Sequence, residues 1–175
     1  MPLRPPVSSA DHIQGDDNAI IELVEYGDYQ CPHCGRAYPI VKQLQEKLGN
    51  QLKFVFRNFP LANIHPEATM AAIATEAAAL QGRYWEMHDI VFENQEDLGK
   101  DALLQYAVTL GLNTAQLEED MARPELASKV EADFESGIRS GVNATPTFFI
   151  NGKKYNNGWE DDRMLAYIRS NYPGL

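Results

Sequence analysis

The chain has 175 residues, with 25 acidic and 15 basic side chains and a formal net charge of −10. That length fits one domain, or one domain with a large insertion, and a hydrophobic fraction of 44% is that of a folded chain and not of a disordered one. The acidity excludes a non-specific nucleic-acid binder, which needs a basic surface, and no apolar run approaches the roughly 18 residues needed for membrane insertion.

Residues 1–18 are polar and proline-bearing and read as an extended arm. Met1 to Ala10 lacks the apolar core of a secretory leader, which predicts a cytoplasmic chain, or an exported one whose leader has been removed. Ala19 to Tyr26 is rich in Ile and Val and reads as a mostly buried strand. Gly27 to Gln30 reads as a turn. A helix follows from Cys31, with Tyr38, Val41, Leu44, Gln45 and Leu48 spaced by three and four, and Gly49-Asn50 ends it. Leu52 to Phe59 alternates as a second strand, so this part predicts a βαβ unit.

Residues 67–140 read as helical throughout and hold 15 acids and 5 bases, which is the whole net charge. A composition shift of that size predicts a separate structural unit. Ile73, Ala77, Leu80, Tyr84, Met87 and Val91 form one apolar stripe. Asp101 reads as the cap of a helix carrying Leu103, Leu104, Ala107 and Leu110, with Gly111 as its stop. Asn113 and Gln116 resemble a capping box. Leu126, Val130, Phe134 and Ile138 mark a helix starting near Pro124. Strands return at Thr147 to Ile150 and around Lys153 to Tyr155, joined by an Asn151-Gly152 hairpin signal. A last helix runs from about Glu160 to Asn171 with Leu165, Ile168 and Tyr172 on one face.

The only cysteines are Cys31 and Cys34, in Cys31-Pro32-His33-Cys34. A bridge between them closes too small a loop to add much stability, so the pair reads as redox-active or metal-binding. A helix N-terminus favours an anion, which points to Cys31 as a thiolate nucleophile and to Cys34, one turn on, as the resolving thiol. Pro32 suits the first turn, and His33 would place a donor, or a positive charge, beside the thiolate. A structural zinc needs about four ligands, and His12, His33, His65 and His88 show no finger-like spacing. A cluster shared between two chains is the remaining metal option. Farther on, Pro146 stands just before a buried strand, either as a cis proline or as a trans proline at a sheet edge.

Cys31-Pro32-His33-Cys34 after a strand, with Thr145-Pro146-Thr147-Phe148-Phe149-Ile150-Asn151-Gly152 downstream, resembles the DsbA-like thiol-disulfide oxidoreductases of the thioredoxin superfamily. The likeness covers about residues 15–172. It implies an α/β thioredoxin fold over 19–66 and 141–175, with an inserted α-helical domain over 67–140. It also implies a cis Pro146 packed against the cysteines, and a Thr145 backbone that pairs with an extended substrate strand. Glu25, six residues before Cys31, falls where related proteins hold a buried acid that assists proton transfer from the resolving cysteine; a solvent-facing strand acid is the alternative. Asp28 and Tyr29 line the site or serve the turn. Thr145, where DsbA itself has an aliphatic residue, would donate a hydrogen bond toward the thiolate.

The expected activity is dithiol–disulfide exchange with protein or small-molecule thiols and disulfides, with no cofactor and no metal. A redox partner must restore the pair. Reduction is expected in a cytoplasm and oxidation after export. A metal- or peptide-binding module on the same fold, without turnover, is the alternative. A kappa-type glutathione transferase is disfavoured by the presence of Cys34.

Overall fold

The computed structural model describes residues 1–175. Its strands are β1 (Ile13–Gly15), β2 (Ile21–Gly27), β3 (Leu52–Asn58), β4 (Thr147–Ile150) and β5 (Lys153–Lys154). Its helices are α1 (Pro32–Leu48), α2 (Ala68–Leu80), α3 (Tyr84–Phe92), α4 (Lys100–Thr109), α5 (Thr114–Met121), α6 (Pro124–Arg139) and α7 (Arg163–Asn171). The strands make one sheet in the order β1-β3-β2-β4-β5. β2 and β3 run parallel across α1, as the βαβ reading expects, and β4 lies antiparallel to β2. The hairpin from β4 to β5 turns through Asn151 at φ 48° and Gly152 at φ 77°, the left-handed pair that the Asn-Gly signal provides.

Period-two alternation assigns the side chains of β2 to two cores. Ile21 and Leu23 join Phe54, Phe56, Phe148 and Ile150 beneath α1, α7 and the helices α2 to α5. Val24 and Tyr26 join Val55, Phe149 and Phe59 on the opposite face, where Phe134 of α6 packs. Both faces are covered, which is why apolar residues occupy both phases of β2. α6 lies close to that second face because Gly137 carries no side chain. A Cβ there would stand 2.7 Å from the Phe59 ring and 3.1 Å from Tyr26.

The structure departs from the sequence reading at several elements. The arm is no free extension: β1 pairs antiparallel with β3, Leu3 is buried, and Asp11 binds the buried Arg57 at 2.8 Å. Three residues with one apolar member carry too little alternation to be read as a strand. The single stripe from Ile73 to Val91 is divided between α2 and α3, because Gly82 at φ 73° ends the first helix, and Leu80 is exposed. Asp101 sits in the first turn of α4 and Gly99 is its cap. Asn113 does cap α5 through Gln116 N, but the Gln116 side chain turns to Asp120, so only half of the box forms. Ile138 is exposed, although Leu126 and Val130 of the same stripe are buried and Phe134 is half-buried.

Candidate active site

The turn between β2 and α1 is built on one carboxylate. Asp28 is 1% exposed. Its Oδ1 accepts from Gln30 N at 2.8 Å and Cys31 N at 3.2 Å, the local pattern by which Asp fixes a turn. Its Oδ2 accepts from Leu61 N at 2.8 Å and from the His65 ring at 2.7 Å, which ties the same turn to the segment after β3. Cys31 is thereby held at the N-cap of α1, in extended backbone, with Pro32 opening the helix. The helix then runs to Leu48 although Pro39 lies inside it and deprives the Gly35 carbonyl of its helical donor.

Both cysteines are free and buried, Cys31 at 3% and Cys34 at 0% exposure. Exposure therefore separates them only slightly, and position separates them far more. Cys34 points back from the first turn, where its Sγ accepts from Asp28 N at 3.5 Å. Cys31 Sγ lies 3.8 Å from the carbonyl oxygen of Thr145. Its thiol is pulled from 9 down to about 5, chiefly by the S–H of Cys34, against the opposing effect of burial. The Thr145 hydroxyl and the backbone N–H groups of Cys34 and His33 add to the lowering. Cys34 is pushed well above its ordinary value by burial first, then by Cys31 and by the charge of Glu25. At neutral pH the reduced pair is one thiolate beside one thiol.

Three further groups close around the sulfurs. The Thr145–Pro146 peptide is cis, and β4 starts directly after it against Tyr26 of β2. Thr145 Oγ1 is buried without a hydrogen-bond acceptor of its own, so its hydrogen is free to turn toward the Cys31 sulfur. Glu25 is 2% exposed and its Oε1 has no partner, which sets aside a solvent-facing strand acid. Burial, and then the charge on Cys31, raise its carboxyl to about 8. Gly27 leaves the room beside it, since a Cβ there would meet the Phe56 ring at 2.4 Å and Glu25 Oε1 at 3.1 Å.

Two expectations change. The His33 ring is exposed and hydrogen-bonds Arg36, so the group it turns to the thiolate is its backbone N–H and not its imidazole. Tyr29, a candidate for lining the site, is 1% exposed and sends its ring into the core, where its hydroxyl meets His88 Nδ1 at 2.9 Å. An aromatic ring flanked by Phe56 and Phe92 is more stable there than in water. Gln95, between α3 and α4, carries no motif in the sequence, yet its Nε2 donates to Tyr29 O and to Cys31 O, each at 2.9 Å. Nowhere do three His, Cys, Asp or Glu side chains gather as a metal site would require.

A family profile described as Thioredoxin matches residues 8–170. Among solved structures, a thioredoxin-like oxidoreductase from Silicibacter pomeroyi DSS-3 is 25% identical, with a TM-score of 0.83 over 93% of this chain and 92% of that one. The thiol-disulfide exchange protein alpha-DsbA2 from Wolbachia pipientis shares the fold at a TM-score of 0.80 and 18% identity, over 91% of this chain and 86% of that one. A protein named Na(+)/H(+) antiporter NhaA 1 from Mycobacterium sp. (strain KMS) is 39% identical over 96% of this chain. The chain spans only 28% of that relative's length.

Proposed function

The chain belongs to the thioredoxin family, and from that premise we propose that it is a DsbA-like thiol–disulfide oxidoreductase that passes its disulfide to substrate thiols. The observation that carries this is the opposed shift of the two thiols, Cys31 to about 5 and Cys34 well upward. A stabilised thiolate favours the reduced pair, and a pair that prefers to be reduced is an oxidant toward others.

The steps follow from that asymmetry. A substrate thiolate attacks Cys31 Sγ of the disulfide and forms a mixed disulfide. The S–S bond breaks, and Cys34 leaves with the electron pair and takes a proton. A second substrate thiolate then attacks the substrate's own sulfur and expels Cys31, whose low pKa makes it the better leaving group. The substrate has lost two electrons and two protons, and the cysteine pair has gained both electrons. Glu25, raised to about 8, is the group that exchanges the proton of Cys34. Thr145 and Pro146 form the wall against which an extended substrate segment lies, with the backbone of Thr145 as its pairing edge. A partner protein reoxidises the pair. Net oxidation of this kind suits an oxidising compartment, and the same residues in a reducing one would run the exchange backward. By the same reading the segment over 67–140 is an acidic insertion in the fold. Ion transport is no part of the proposal, because the chain spans only 28% of the relative that carries the antiporter name.

Replacing Cys34 with alanine should trap a mixed disulfide on Cys31 with glutathione or a cysteine-bearing peptide, located by mass spectrometry. If no adduct forms, and if both cysteines can be removed without loss of peptide thiol oxidation, the reading is wrong. Stoichiometric metal in protein purified without chelator would favour a metal-binding module instead.

A further inference from the structure

The carbonyls of Tyr29 and Cys31 flank the start of α1, and one side chain from a distant segment holds both. Gln95 Nε2 donates to each at 2.9 Å. Both targets are acceptors only, so chemistry fixes which way the amide points. Cys31 O also accepts from Gly35 N at 3.0 Å, which leaves Gln95 as its second donor.

The counterpart lies across from the amide oxygen. Gly35 directly follows the cysteine motif, inside a helix, where glycine is among the poorest residues. Its φ is not positive, so the backbone does not require glycine there. The Gln95 amide does while it stays in place: a Cβ on Gly35 would stand 1.9 Å from Gln95 Oε1 and displace it. Pro39 does not explain the glycine, because it removes the donor to the Gly35 carbonyl and leaves the Cβ position untouched. Gly35 and Gln95 fit each other as a lock on the first turn of α1.

We propose that Gln95 is a positioning residue for Cys31, fixing the nucleophile at the helix end by binding the carbonyls on either side of the turn, and that Gly35 is kept small to admit it. The inference rests on Cys31 being the nucleophile. It gives the segment between α3 and α4 a direct hold on the reacting cysteine. With the amide gone, the first turn loosens, and the N–H groups of His33 and Cys34 no longer converge on the sulfur.

The test follows iodoacetamide alkylation of Cys31 in the reduced full-length chain from pH 4 to pH 8, with the site read by mass spectrometry. Gln95→Met keeps the length of the side chain and removes the donor. It should move the midpoint from about 5 toward about 6, so that the rate at pH 4 falls about tenfold while the rate at pH 8 is unchanged. Gly35→Ala should do the same by evicting the amide, and the double variant should shift no further than either single one. A Gln95→Met profile that coincides with the parent overturns the proposal. So does a Gly35→Ala profile that coincides with it, or two shifts that add. If Gln95→Met does not fold, Gly35→Ala decides alone by the same two readings. Alkylation reports the acidity of Cys31 whether or not disulfides are turned over, so a failed trap with Cys34→Ala leaves this result standing, and the reverse also holds.

Discussion

Glu25 makes the fold itself sensitive to pH. The carboxyl titrates at 4.5 in an unfolded chain and at about 8 in place, because it is buried beside Cys31. The native state therefore keeps a proton that the unfolded state gives up above pH 4.5. Stability that is complete below 4.5 drains away as the pH rises toward 8. By pH 7 the loss is roughly 3 kcal/mol, from two and a half pH units at about 1.4 kcal/mol each. Glu25→Gln removes the titration. Its amide would also lack a partner in this pocket, but that cost is the same at every pH. The assay is urea unfolding of the reduced parent and the variant at pH 4, 5, 6 and 7. Cys31 titrates in both and largely cancels. The stability difference should swing in favour of the variant by roughly 3 kcal/mol between pH 4 and pH 7. A difference that stays flat across that range would refute a raised Glu25 and, with it, its role in the proton step.

Three other outcomes follow. Absorbance at 240 nm of the reduced chain should titrate with a midpoint of about 5 and lose the transition in Cys31→Ser; a midpoint near 9 would remove the basis for an oxidant. The lowered thiol also stabilises the reduced fold above pH 9, and that contribution is lost as the pH falls through about 5. Asp28→Ala should cost about 3 kcal/mol or more in urea unfolding, since four donors lose their acceptor in a buried turn; a loss under about 1 kcal/mol would mean that the clamp is redundant. Oxidation of a basic peptide should outpace that of an acidic one at low salt and converge with it as salt is added, because residues 67–140 hold all the net negative charge; rates insensitive to both would reduce that acidity to a matter of solubility.

The parts legible in the sequence were those in which a residue type answers a local demand. Pro32 at the first helical position, a strand before it and two cysteines one turn apart left little choice about where the helix starts or which sulfur sits at its end. Asn151-Gly152 announced its hairpin for the same reason. What stayed hidden depends on partners far away in the chain. Gln95 lies in the polar run Glu93-Asn94-Gln95-Glu96-Asp97, which reads as ordinary loop, and its targets are 66 and 64 residues away. The burial of Glu25 turned on strand register, which alternation alone left open, and pairing with Phe56 and Phe148 settled it. His33 lies between the cysteines, but helical geometry turns its ring toward Arg36, three residues on.

The clamp made by Asp28 has a consequence for the working cycle. Its four hydrogen bonds define the loop while both sulfurs are free, so the scaffold needs no covalent tie to hold its form. In the proposed exchange, oxidation would close a bond between two thiols already within hydrogen-bond reach. For the proposed exchange, the turn that presents Cys31 is therefore held by hydrogen bonds that do not depend on a sulfur–sulfur bond.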